Sequence, residues 1–224
     1  ANNNSPKQTV ITGAIVDLER FESVLTIQNI AFKRLNVPTA FHSPWVAKAE
    51  KKFNSFLNNK KLAEATIPVY SNMSAGIYPE GKKAIKETLS QQLSNPVKFQ
   101  QMIEQMLADG IDTFIELGAG SALAKMVKDI VNENEADVGN KNIQAFSFDG
   151  GARLDAMSAM WRAVAQMAAL GLEIDLSALW TNFSLEQLDP IKEDFSMATV
   201  MINGANVGKK YPPKEGASVL PKPN

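Results

Sequence analysis

Apolar residues recur alternately at strand and helix spacing over the first two thirds of the chain, and the two periods together predict an α/β fold. Residues 8–13 form a Thr/Val/Ile run closed by Gly13, which predicts a strand. Asp17 reads as a helix N-cap, with Leu18, Phe21, Val24 and Leu25 on one apolar face. Over residues 32–41, Leu35 and Val37 alternate with Arg34 and Asn36, which predicts a second strand. The stretches 8–13 and 32–37 are therefore expected to pair as neighbours in a small β-α-β unit, with His42 where that unit meets a larger sheet.

Pro44 opens the next helix, whose Trp45, Ala49, Phe53 and Phe56 share a face while Lys48, Lys51 and Lys52 point outward. Residues 67–70 are expected to be a buried strand, followed by a polar turn at residues 71–74. Ile85, Leu89 and Leu93 mark a helix that stops at Asn95-Pro96. Pro96 starts another, with Met102, Ile103, Met106 and Leu107 inward, closed by Asp109-Gly110. Residues 113–117 predict a strand, the turn at Gly118 leads into a helix carrying Leu123, Met126, Val127 and Ile130, and residues 143–148 predict the last strand. This rhythm argues for a largely parallel sheet. An Ala/Met-rich helix with Leu154, Met157, Trp161, Val164 and Ala168 comes next and ends at Gly171. From about Leu185 the chain is polar and Pro-punctuated, as in a linker or a segment laid on a surface.

Charge and composition narrow the chemistry. Among 224 residues, Lys+Arg 23 against Asp+Glu 24 leaves a net charge of -1, so no excess of cations is present to hold a phosphate backbone, and nucleic acid is not an expected partner. The absence of cysteine removes disulfides, thiolate metal sites and a thiol nucleophile. A single histidine, His42, removes His-cluster metal sites. The polar start lacks the apolar core of a signal peptide and no apolar run is long enough to span a bilayer, so a cytoplasmic location without membrane contact is expected. The first residue is not Met, which suggests a piece of something longer.

Two places can carry chemistry. The turn Gly118-Ala119-Gly120-Ser121-Ala122 joins a strand to a helix N-terminus, an arrangement suited to an anion or to close ligand approach. It lacks the last glycine of a dinucleotide fingerprint and the third glycine of nucleoside-binding methyltransferases, so packing, a pocket wall and nucleotide binding all remain open. His42 lies between an expected strand end and a helix, where an imidazole is either a proton-transfer group or a satisfied turn residue.

Five segments in order carry a resemblance. Thr39-Ala40-Phe41-His42-Ser43-Pro44 resembles the histidine motif of malonyl-CoA:acyl-carrier-protein transacylases and polyketide synthase acyltransferase domains. Asn4-Ser5-Pro6-Lys7-Gln8, Pro68-Val69-Tyr70-Ser71-Asn72, Gln92-Leu93-Ser94-Asn95-Pro96-Val97 and Glu116-Leu117-Gly118-Ala119-Gly120 resemble four further segments of that family. Ala119 stands in place of the family's proline, Trp45 of a leucine and Thr39 of a histidine. The family's serine elbow and its carboxylate-gripping arginine have no counterpart here.

The resemblance implies the C-terminal part of such a domain: a partial ferredoxin-like small subdomain over residues 1–41, the second half of a hydrolase-like parallel core over residues 42–148, and a helical and extended linker over residues 149–224. It implies that His42 is the general base for a serine outside this chain, oriented by the backbone carbonyl of Gln92. Asn4, Phe41, Asn72 and Ala122 are implied to line the substrate pocket, with Phe41 favouring malonyl over methylmalonyl by filling the space of an α-methyl group. No permanently bound cofactor is implied. Malonyl-CoA would be the donor and a phosphopantetheinyl acyl carrier protein the acceptor, with the N-terminal half of the domain and neighbouring synthase domains as partners. This chain alone is expected to be inactive, and a non-catalytic docking or scaffold piece is the alternative. A methyltransferase-like ligand binder is a third reading. The segment 204–213 resembles the stretch after the acyltransferase in bacterial polyunsaturated fatty acid synthases.

Overall fold

The computed structural model describes residues 1–134, 142–149 and 155–177. Its first strand, β1 (Asn2–Ser5), turns at once into β2 (Gln8–Val10), and the two pair antiparallel with Asn2 opposite Val10. Helix α1 (Ile15–Ile27) comes next. Its N-cap is Ala14, and Asp17 sits instead in the first turn, where its carboxylate faces the positive end of the helix dipole.

Residues 30–37 form no strand, which corrects the expected β-α-β unit. The partner of β2 is β1, so Leu35 and Val37 alternate along an extended segment that meets no ladder, and Phe32, Leu35 and Val37 remain exposed. Alternation marks a strand only when a neighbouring strand supplies hydrogen bonds and covers one face.

Pro44–Val46 is a short 3-10 turn capped by Ser43, and it runs into α2 (Ala47–Asn58). Trp45 and Phe56 are exposed and the buried residue of α2 is Leu57, so the expected inward face is only partly covered. β3 (Tyr70–Ser71) and β4 (Gly76–Ile77) make a hairpin, shorter than the strand expected over residues 67–70, with Ile67 and Val69 exposed. Helix α3 (Lys82–Gln91) ends before Leu93. Pro96 precedes β5 (Val97–Lys98), which pairs parallel to β1, and α4 (Phe99–Ala108) begins only after it. β6 (Thr113–Glu116) and β7 (Gln144–Ser147) pair in parallel around α5 (Ala122–Glu133). Helix α6 (Ala156–Ala169), the last among the described residues, is capped by the Asp155 carboxylate, which accepts from the Ser158 amide at 2.9 Å. Leu154 and residues 178–224, including the segment 204–213, lie outside the described residues.

Among the described residues the expected largely parallel sheet is three small sheets, ordered β2-β1-β5, β3-β4 and β6-β7, with parallel pairs at β1·β5 and β6·β7. The core lies where α4 and α5 meet β7: Phe99, Met102, Ile103 and Leu107 against Ala124, Val127, Ile130 and Ala145. Ile130 is 0% exposed, and burying a side chain of its size contributes about 1.5–3 kcal/mol. Every element described lies in a compact unit, Ala1–Ile174, and a second unit is Asp175–Asn224.

Candidate active site

His42 sits in the loop before the 3-10 turn, with φ 54°, in the left-handed region that a residue bearing a Cβ seldom enters. Two consecutive carbonyls hold it there. The His42 amide donates to Leu93 O at 3.1 Å, and its Nδ1 lies 3.0 Å from Gln92 O. A carbonyl only accepts, so Nδ1 carries the hydrogen and Nε2 keeps its lone pair. These carbonyls are free of a helix ladder because α3 stops at Gln91, with Gln92 as its C-cap and Leu93 beyond it. Nε2 makes no hydrogen bond among the described residues.

Phe41, next to His42, is 49% exposed and so is not packed into the core. Asn4 is the third residue of β1 and donates from Nδ2 to Gln8 Oε1 at 3.0 Å across the turn. Asn72 opens the β3–β4 turn; its carbonyl accepts from the Lys98 amide at 2.8 Å, while its buried side-chain Oδ1 has no hydrogen-bond partner among the described residues. Ala122 is the first residue of α5 and is exposed. The structure brings His42 and Gln92 into direct contact. Asn72 joins the hairpin to β5, and no hydrogen bond links Asn4, Asn72 or Ala122 to His42 among the described residues.

The glycine turn is not an open anion site. The buried Glu116 carboxylate accepts from the Ala124 amide at 2.8 Å, and the Asp149 carboxylate accepts from the Gly120 amide at 2.9 Å. Ser147 Oγ donates to Gly120 O at 2.6 Å. Two carboxylates thus occupy amides that an incoming anion would need, which supports a packing role for the turn. Sequence reasoning did not single out Glu116 and Asp149 for this; the second is 29 residues from its partner and no local pattern announces it. Gly120 itself has φ 87°, the conformation for which glycine is needed.

Two open clefts, of about 550 Å³ beside Lys60, Lys61, Lys82 and Lys86 and about 470 Å³ beside Asp112, Thr113 and Asn142, include neither His42 nor Gln92. Among the described residues there is no group of three or more His, Asp or Glu side chains placed to hold a metal ion, and no helix long and apolar enough to cross a membrane.

The malonyl CoA-acyl carrier protein transacylase of Bacillus subtilis (strain 168) is 39% identical over 132 residues, 58% of this chain and 41% of the relative. The crystal structure of the malonyl CoA-acyl carrier protein transacylase from Clostridium perfringens ATCC 13124 has a TM-score of 0.61 at 32% identity, covering 76% of this chain and 50% of that one. The acyltransferase domain from the second module of the salinomycin polyketide synthase shares the fold, with a TM-score of 0.67 at 22% identity over 83% of this chain and 42% of that one. The chain spans half or less of the length of these proteins. A family model described as the acyl transferase domain matches residues 1–148, and on that match the chain belongs to the acyl transferase domain family.

Proposed function

We propose that this chain is the base-bearing part of an acyltransferase that moves a malonyl group from coenzyme A to an acyl carrier protein, in fatty-acid or polyketide synthesis. The observation that carries the reading is the imidazole of His42, whose Nδ1–H is held by Gln92 O at 3.0 Å so that Nε2 is left as the acceptor. In the first half-reaction Nε2 takes the proton of a serine hydroxyl as its oxygen attacks the thioester carbonyl. The carbon–sulfur bond breaks and the departing CoA thiolate takes that proton back. A carrier-protein phosphopantetheine thiol then gives its proton to Nε2, attacks the acyl-serine, and the serine oxygen recovers the proton. The carbonyl of Gln92 fills the orienting role of a carboxylate in a protease triad.

The serine belongs to a segment outside this chain, the N-terminal half of the domain, which also supplies the malonyl-carboxylate clamp. In this reading residues 1–41 are part of a ferredoxin-like small subdomain, residues 42–148 complete the hydrolase-like core, and residues 149–224 lead towards neighbouring domains. Asn4, Phe41, Asn72 and Ala122 line the acyl pocket, and the partnerless Asn72 Oδ1 is free to accept from substrate or from the missing half. No permanently bound cofactor enters the chemistry.

The exposed apolar face of α1 and the segment after it supports the need for a partner and equally favours a scaffold role. Radiolabelled malonyl-CoA separates the two. Alone, the chain remains unlabelled, because a general base without its nucleophile forms no acyl-enzyme. Addition of the serine-bearing half gives a covalent label on that half. Stable label on this chain, or no label in a stably assembled pair, refutes the catalytic reading.

A further inference from the structure

The three residues after α3 each hold something. Gln92 O and Leu93 O accept from the side chain and the backbone of His42. Ser94 Oγ donates to Glu50 Oε2 on α2 and also lies 3.3 Å from Gln91 O. The side chain of Gln92 is held in turn: its Oε1 accepts from Tyr78 Oη at 3.3 Å. We propose that Glu50 and Tyr78 are positioning residues for His42, acting through the turn at residues 92–94; the use made of this positioning rests on the reading of His42 as the base of acyl transfer.

The physical need for two outside anchors comes from where the carbonyls lie. They lie just past a ten-residue helix, Gln92 at its C-cap and Leu93 beyond it, where carbonyls have no partner in the helix ladder and the chain frays readily. His42 is in a backbone conformation that persists only when its surroundings over-determine it. If the turn swings toward solvent, both carbonyls exchange His42 for water. Nδ1 then loses the acceptor that keeps its hydrogen, and the imidazole shifts to the form with the hydrogen on Nε2, which cannot take a proton from a hydroxyl there. Glu50 lies eight residues after His42 on the helix that continues from its loop, so the contacts close a ring: His42 along the chain to Glu50, across to Ser94, back through Gln92 to the imidazole. Tyr78 pins the opposite side from the end of the β3–β4 hairpin, where its own amide donates to Val69 O at 2.8 Å. Asn54 Nδ2, donating to Ser90 Oγ at 3.1 Å, binds α2 to α3 one turn further on.

His42 is the only histidine, so a full chain labelled with ¹⁵N-histidine gives one pair of ring-nitrogen signals. At a pH where the ring is neutral, the parent is expected to hold the hydrogen predominantly on Nδ1. Tyr78→Phe and Glu50→Ala should each lower the ratio of the Nδ1–H to the Nε2–H form by about 2- to 5-fold, up to the worth of one hydrogen bond. Glu50→Gln retains a carbonyl oxygen to accept from Ser94 and should keep the parental ratio. Tyr78→Phe removes a single oxygen atom, and circular dichroism confirms that the helices remain. A parent in which Nε2–H predominates overturns the proposal, as does an unchanged ratio in folded Tyr78→Phe and Glu50→Ala. The readout needs no catalysis: a parental ratio that responds to these variants in a protein unable to support acylation refutes the functional reading and leaves the positioning intact.

Discussion

At the scale of single residues, the proposed preference for malonyl rests on Phe41. It precedes His42 in the chain and is half exposed, so its ring is not consumed by the core. A phenyl ring in an acyl pocket leaves little room for an α-methyl group, and one methyl group in an apolar pocket is worth about 10- to 200-fold in specificity. In a domain reconstituted with the serine-bearing half, Phe41→Ser should therefore raise kcat/KM for methylmalonyl-CoA relative to malonyl-CoA by up to that factor. An unchanged ratio removes Phe41 as the selecting wall. The spatial relation of His42 to Gln92, fifty residues apart, could not be read from hydrophobic periodicity; five motifs in family order indicated it. The Glu50–Ser94 and Tyr78–Gln92 contacts had no sequence signal, because neither spacing belongs to a helix or a hairpin.

At the scale of elements, periodicity was most legible where tertiary partners were present. α4 and α5 bury the faces their spacing indicates, at Met102, Ile103, Leu107, Val127 and Ile130. Residues 32–37 show the same quality of pattern without a partner strand, and they remain irregular and exposed. The hairpin of β3 and β4 has a polar tie of its own to α4: Tyr70 Oη donates to Asp109 Oδ2 at 2.6 Å, just past the helix end. That hydrogen bond, aided by desolvation and the adjacent carboxylate charge, raises the Tyr70 phenol above its ordinary value of 10.0. The neutral phenol is the bonded form, so its stabilising contribution is fully present below pH 10.0 and is lost as pH rises through the higher folded value. Ultraviolet titration of the folded chain should show one tyrosine ionising later than in the unfolded chain, and Asp109→Asn should bring it back toward the ordinary value. A Tyr70 phenol that ionises normally in the parent contradicts the tie.

At the scale of the whole molecule, the described fold is unfinished on one side. Helix α1 buries no residue; Ile15, Val16, Phe21, Val24 and Ile27 are exposed, Ile27 at 80%, and Ile30, Phe32, Leu35 and Val37 extend the same apolar surface. The pair β6-β7 is two strands wide, and Ile115 and Leu117 are exposed beside it. Apolar surface on this scale marks an interface, and in the proposed function the other part of the domain covers it; the chain spans half or less of the relatives it matches. In the proposed function His42 is the base and the nucleophile belongs to a segment outside this chain. The direct measurement is therefore the rate of malonyl transfer to serine in the assembled pair, with the parent chain and with His42→Ala. The account predicts that the parent supports a rapid acylation burst on the serine-bearing half and that His42→Ala slows it by about 10²- to 10⁴-fold, the range for loss of a positioned general base. A burst of undiminished rate with His42→Ala would contradict it.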